Sequence, residues 1–201
     1  MYSILQAAGW PIYLLLAASI IALALILERL IVLRRKKVIP PRLFQEVVEL
    51  YRAQKITATV VTRLEDNSPM GRILAAALRH ERSSREVMKE AIEEAGSAIA
   101  HDLGRFLNGI GTIATAAPLM GLFGTVVGMI EIFGSQSPSG TNPQQLAHGI
   151  SVALYNTAFG LVVAIPSLIF YRHFRGKVDA LVVEMEQQAV RFVDIVHGDR
   201  K

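Results

Sequence analysis

Three long stretches of this chain carry no Asp, Glu, Lys or Arg, and they restrict its fold more than any other feature. They are residues 1–27, 106–130 and 132–171. A helix on the surface of a soluble protein needs a charged or polar face, and these runs do not supply one. About 20 consecutive apolar residues cross a bilayer as a helix. The third run is too long for one span and is broken by a turn-rich polar segment, Gly134-Ser-Gln-Ser-Pro-Ser-Gly-Thr-Asn-Pro-Gln-Gln145. The expected fold is therefore all-α: an integral membrane protein with three transmembrane helices, at 10–33, 108–133 and 148–171, and long cytoplasmic helical extensions. Composition agrees. The chain is 52% hydrophobic and 19% charged, against about 25% charged in soluble domains.

Orientation follows from the basic residues. All 21 Lys and Arg lie between Arg29 and Arg105 or from Arg172 onward, and residues 1–9 and 134–147 have none. Basic residues accumulate on the cytoplasmic side of a membrane. The expected map is a periplasmic N-terminus at 1–9, a cytoplasmic helical region at 34–107, a periplasmic loop at 134–147 and a cytoplasmic tail at 172–201. A cleaved signal peptide would carry positive charge ahead of its apolar run. Here Arg34-Arg-Lys-Lys37 comes after it, so a retained anchor is expected. The net charge of +4 is then a matter of topology. No basic patch interleaved with stacking aromatics points to nucleic acid.

Between the spans, residues 40–80 read as short amphipathic helices, opened by Pro40-Pro41 and interrupted at Asn67-Ser68-Pro69. Ser83 with Glu86 forms a capping-box pattern. From there Val87, Ala91, Ala95, Ile99, Leu103 and Phe106 recur at the spacing of one helix face. No breaker follows, so one continuous helix is expected from about 84 to 133. In the tail, Val178, Leu181, Met185, Ala189, Phe192 and Val196 give a second stripe, which predicts that the third span continues to about residue 196. Together the two read as a helical column.

The second and third spans are rich in small residues. Gly121, Gly124 and Gly128 lie on one, and Gly149, Ala153, Thr157 and Gly160 on the other. Such residues let helix backbones approach closely within a membrane. Hydroxyls and one amide accompany them: Thr112, Thr115 and Thr125, then Ser151, Asn156 and Thr157. The plain reading of any single Ser or Thr is a hydrogen bond to its own backbone. As a set with Asn156 they point to a polar-lined surface facing a bundle interior. Pro118 and Pro166 are expected to kink their helices. Glu28 and Arg29 read as a local ion pair, and His148 as a polar interface residue. Glu131 fits either a solvated helix end or a pore mouth.

A proton path usually needs a titratable carboxylate at mid-depth. No acidic residue falls there, so a partner has to supply one. The chain has no cysteine, which excludes disulfides, thiolate metal sites and a cysteine nucleophile. It has no GxxxxGK[ST], HExxH or GxSxG motif. Its five histidines have no metal-ligand spacing. Neither an enzyme active site, a catalytic residue, a metal nor a cofactor is expected.

The runs Ala117-Pro-Leu-Met-Gly-Leu-Phe-Gly-Thr-Val-Val-Gly128 and Gly149-Ile-Ser-Val-Ala-Leu-Tyr-Asn-Thr-Ala-Phe-Gly-Leu-Val-Val-Ala-Ile-Pro166, with Glu28-Arg29, resemble the ExbB/TolQ/MotA family of proton-channel subunits, the ExbB branch most closely. The resemblance covers essentially the whole chain. It implies a Gram-negative inner-membrane motor in which five copies surround the single membrane helices of two ExbD-like partners. Those partners carry the essential aspartate, and the work reaches a TonB-like protein serving outer-membrane transporters. It places the pore-facing threonines on Thr125 and Thr157. One departure stands out. Where ExbB and TolQ members of that family read Gly-Ile-Ala-Glu-Ala-Leu, this chain has Val152, so no proton role for that glutamate carries over. A TolQ-like envelope-integrity motor and a passive membrane scaffold remain the alternatives. A solute transporter would need a midplane site, often between repeats, and no repeat is present.

Overall fold

The computed structural model describes residues 9–134 and 143–198, apart from the side chains of Gln145, His148 and Val152. The expected N-terminal segment 1–8, most of the 134–147 loop, and the readings attached to the side chains of His148 and Val152 lie outside the described residues. Eight helices follow one another among those described: α1 (Pro11–Val32), α2 (Arg35–Val38), α3 (Leu43–Arg52), α4 (Ala58–Asn67), α5 (Pro69–Arg79), α6 (Arg85–Gly104), α7 (Leu107–Gly134) and α8 (Pro143–Val196). None of the described residues is in a strand. Helices α1, α7 and α8 are long and apolar enough to cross a membrane. The fold is that of an all-α integral membrane protein.

The chain gathers into two compact units. The first is Met1–Glu28 with Phe106–His173, and the second is Arg29–Arg105 with Phe174–Lys201. In the first, α1 buries one stripe, Ile12, Leu15 and Ala22, and leaves Tyr13, Ile20 and Leu23 among its exposed residues. That is the pattern of a helix with one packed face and an otherwise apolar periphery. Leu15 joins Ala117, Val163 and Ala164 in a core flanked by Ile113, Met120 and Phe159. Trp10 meets Phe123 edge to face, with ring centres 5.9 Å apart. Pro118 and Pro166 lie inside unbroken helices.

In the second unit the short helices form because their breakers are placed to cap them. Ser68 ends α4 and accepts from the Gly71 amide at 3.1 Å, with Pro69 in the first turn of α5 where it sacrifices no hydrogen bond. Met70, Ile73, Leu74, Ala77 and Leu78 make α5 the buried centre of the unit. The stripe expected in the tail is buried at Val178, Leu181, Met185, Ala189 and Phe192. Tyr51 of α3 stacks edge to face on Phe192 at 5.8 Å. Ion pairs Arg35–Glu184 and Arg85–Asp194 hold the same stretch of α8 to α2 and α6.

Three local expectations are corrected. The helix expected from 84 to 133 is two helices: α6 ends at Gly104, Arg105 and Phe106 form a turn, and α7 begins at Leu107. Glycine favours a helix less than other residues except proline. The carbonyl of Leu103, the natural acceptor for the Leu107 amide in an unbroken helix, accepts from Arg29 Nη1 at 3.0 Å. The N-cap of α6 is Ser84, not Ser83, and its hydroxyl accepts from the Val87 amide. Finally, the buried face of α6 is Met88, Ile92, Gly96, Ile99 and Leu103, whereas Val87 and Phe106 are 43% and 39% exposed. Over its first half the helix is rotated by one residue, because Met88 and Ile92 offer more apolar surface than Ala91 and Ala95.

The seam between α7 and α8

The small residues of α7 and α8 meet in antiparallel order within the first unit. A methyl group added to Gly160 would lie 2.6 Å from the Ala117 carbonyl oxygen, and one on Gly121 would lie 2.7 Å from that of Asn156. On Gly124 it would lie 2.8 Å from Asn156 Cβ, on Gly128 3.3 Å from Ala153 Cβ, and on Gly149 2.6 Å from Ile132 Cδ1. At Gly121 and Gly160 the approach requires glycine, since a Cβ there meets backbone; at Gly124 it would meet the buried Asn156 side chain. The four-residue spacing follows from α-helical periodicity, which returns a side chain to nearly the same face every turn.

The hydroxyls sit around this seam, and four of the residues expected to line a path use their proton locally. Thr112 donates to the Asn108 carbonyl (2.8 Å), Thr115 to those of Gly111 (3.2 Å) and Thr112 (3.0 Å), Thr125 to that of Leu122 (2.6 Å), and Ser151 to that of Ala147 (2.9 Å). A hydroxyl bonded in this way still offers lone pairs to a proton or water. Thr125 and Thr157 are both half-buried. Gly121 packs on the Thr157 Cα, and Thr125 follows Gly121 by one turn, so the two threonines lie at similar depth. Thr125 also borders an open groove of about 620 Å³ with Val126, Met129, Ile130 and Phe133.

The remaining candidates are placed differently. Thr115 and Ser151 are exposed; at 1.5 Å per residue Thr115 lies roughly 15 Å from Thr125 along α7 and Ser151 roughly 9 Å from Thr157 along α8. Asn156 is 1% exposed and is wedged against Gly124 in the seam itself, not on an open face of the chain. Glu131 is exposed in the last turn of α7. Among the described residues no cluster of three or more His, Asp or Glu is placed to hold a metal.

Arg29 was not among the expected site residues. It is 4% exposed, belongs to the second unit, and its guanidinium donates to the Leu103 carbonyl. The sequence signal for it is the one cation of α1, placed with Glu28 near the end of an apolar helix, where a charge persists only if it finds partners.

The fold and the seam define a multi-span α-helical membrane protein whose glycine-packed helices carry hydroxyls but no acid at mid-helix. Comparison with known proteins places it. Residues 65–187 match the model of the MotA/TolQ/ExbB proton channel family. A Synechocystis protein described as biopolymer transport protein ExbB-like 3 is 37% identical over 165 residues, covering 81% of this chain and 79% of that one. The ExbB homolog of Methanothermobacter thermautotrophicus is 28% identical over 90% of this chain and 65% of its own length. The biopolymer transport protein ExbB of Pseudomonas putida is 30% identical over 63% of this chain and 39% of its own. The matched region thus spans less than two thirds of the latter two. This chain belongs to the MotA/TolQ/ExbB proton channel family, close to ExbB. It is a membrane subunit of the energy-transduction kind.

Proposed function

We propose that this chain is the multi-span subunit of a proton-motive-force-driven motor that energises TonB-dependent import through an outer membrane. The carrying observation is the α7–α8 seam, which sets Thr125 and Thr157 at similar depth in spans with no acidic residue between Arg105 and Glu131 or between Glu131 and Arg172. The hydroxyls supply acceptors for a proton in transit, and the carboxylate that binds it comes from the aspartate of a single-span, ExbD-like partner. About five copies enclose that partner. The spans lie in the inner membrane with the N-terminus periplasmic and the basic regions cytoplasmic. Thr115 and Ser151 extend the polar lining, Glu131 stands at its outer mouth, and Asn156 holds the two helices in register. Gly121, Gly124, Gly128, Gly149, Ala153 and Gly160 set the spacing.

Val152, standing where the resemblance to ExbB and TolQ implies a glutamate, favours a second reading in which a related biopolymer or TolQ-like envelope system takes the place of TonB. Both readings share the proton path and stand against a passive scaffold. The test is Thr125→Val with Thr157→Val, co-reconstituted in liposomes with an ExbD-like single-span partner. Proton flux should fall at least tenfold while the complex still assembles. Flux equal to that of the unaltered complex would remove the threonines from the path, and an unaltered complex with no flux above background would leave the scaffold.

A further inference from the structure

The second unit contains a small cavity of about 240 Å³ walled by Arg35, Arg42 and Arg191, with the amides of Gln45 and Gln188 beside them. Its lining includes Pro40 and Pro41, whose rings fix φ. Gln188 and Arg191 come from one face of α8 together with Glu184, and Arg42 and Gln45 from the start of α3. Glu184 takes Arg35 through both carboxylate oxygens, with Arg35 Nε donating to Oε2 at 3.0 Å. That pair neutralises one of the three cations and fixes its guanidinium at the rim. Among the described residues neither Arg42 nor Arg191 forms an ion pair, so the cavity keeps two uncompensated positive charges.

We propose that this cavity binds a phosphate-bearing anion. Two net positive charges match a dianionic phosphate group. Guanidinium forks match its oxygens bidentately where a lysine would act as a point charge, and the glutamine amides add neutral donors. At roughly 30 Å³ per water, a volume of about 240 Å³ is room enough for a phosphate or pyrophosphate group. The phosphate can come from a soluble anion or from a phospholipid headgroup. Arg35 follows the last residue of α1 by three positions, at most about 10 Å of extended chain. A basic cluster, Arg34-Arg-Lys-Lys37, immediately follows that apolar helix, the setting in which anionic headgroups are drawn to a protein.

The experiment uses the full chain in detergent and in nanodiscs. Inorganic pyrophosphate is titrated calorimetrically at low salt against the unaltered protein, Arg42→Gln/Arg191→Gln, and Arg52→Gln as a distant control. In parallel, retention of phosphatidylglycerol against phosphatidylcholine is measured by native mass spectrometry. Saturable binding of one pyrophosphate per chain, weakened about tenfold or more in the double variant and unchanged in the control, assigns a soluble anion. Selective phosphatidylglycerol retention lost only in the double variant assigns a headgroup. Should the double variant misfold, phenylglyoxal modification of the unaltered protein decides: pyrophosphate or phosphatidylglycerol should shield Arg42 and Arg191 and leave Arg52 reactive. Absence of both binding and shielding, or equal binding by the double variant, overturns the proposal.

Discussion

A buried arginine hydrogen-bonded to a backbone carbonyl is costly to remove, because its acceptor is then left dry and unpaired. Arg29 is in this position against Leu103. Arg29→Met preserves the length and apolar bulk of the side chain while deleting the donor. It should lower stability by about 1–3 kcal/mol, read as a lower melting temperature in detergent, with Arg29→Lys falling between the two. An unchanged melt for Arg29→Met would show that the bond contributes nothing net. The threonines illustrate the opposite case. Their presence is plain in the sequence, but which of them share a depth depends on the register of α7 against α8. Thr125 and Thr157 come within a turn of each other only because Gly121 seats on the Thr157 backbone.

Among the helices, α7 and α8 follow the small-residue pattern that the sequence displays, and their closeness can be tested by adding single methyl groups. Gly160→Ala places Cβ 2.6 Å from the Ala117 carbonyl oxygen, so the seam must open at a cost of about 1–3 kcal/mol. Gly176→Ala, also within α8 but with nothing within 4 Å, should be neutral or stabilise by up to about 1 kcal/mol through helix propensity. In the same detergent the melting temperature should fall for Gly160→Ala and hold or rise for Gly176→Ala, and a shared loss would contradict the packing described. The break between α6 and α7 was not legible. Gly104 alone is a weak signal, and its consequence depends on an acceptor taken by a donor 74 residues away. The one-residue rotation of α6 has a similar origin, since the apolar periodicity allows two neighbouring faces and the packing against α5 chooses between them.

For the whole molecule, long-range ion pairs fasten the second unit: Arg35–Glu184, Arg72–Asp102 and Arg85–Asp194. The hydrogen bond from Arg35 holds the Glu184 carboxyl below its ordinary value of 4.5, and that from Arg72 holds Asp102 below 3.8. Glu86 is likewise lowered by its own backbone amide and the Ser84 hydroxyl at the start of α6. A carboxylate with a depressed folded pKa adds stability that is fully present above the unfolded value and is lost as pH falls through the folded one. Stability should therefore be flat near neutrality and decline below about pH 4.5. The pairs are largely exposed, so each effect is modest and weakens with salt. Melting temperatures at pH 7 and below pH 4, compared for the unaltered chain and Glu184→Gln, check this. The variant should show a smaller acid loss, and an equal loss would exclude the Glu184 pair as a contributor.

The number of helices long and apolar enough to cross a membrane, and the lack of an acidic residue within 106–130 and 132–171, were already present in the sequence, because the free energy of placing a segment in lipid is close to a sum over its own residues and needs no knowledge of neighbours. The continuation of α8 to Val196 was legible for a related reason: its apolar stripe persists at helical spacing past the last span residue. The capture of Leu103 by Arg29, the register that levels Thr125 with Thr157, and the grouping of Arg35, Arg42 and Arg191 around one cavity came only with the tertiary structure. Each joins groups far apart in the chain, and hydrogen-bond and charge energies depend on distances of a few ångströms that no local property of the chain specifies.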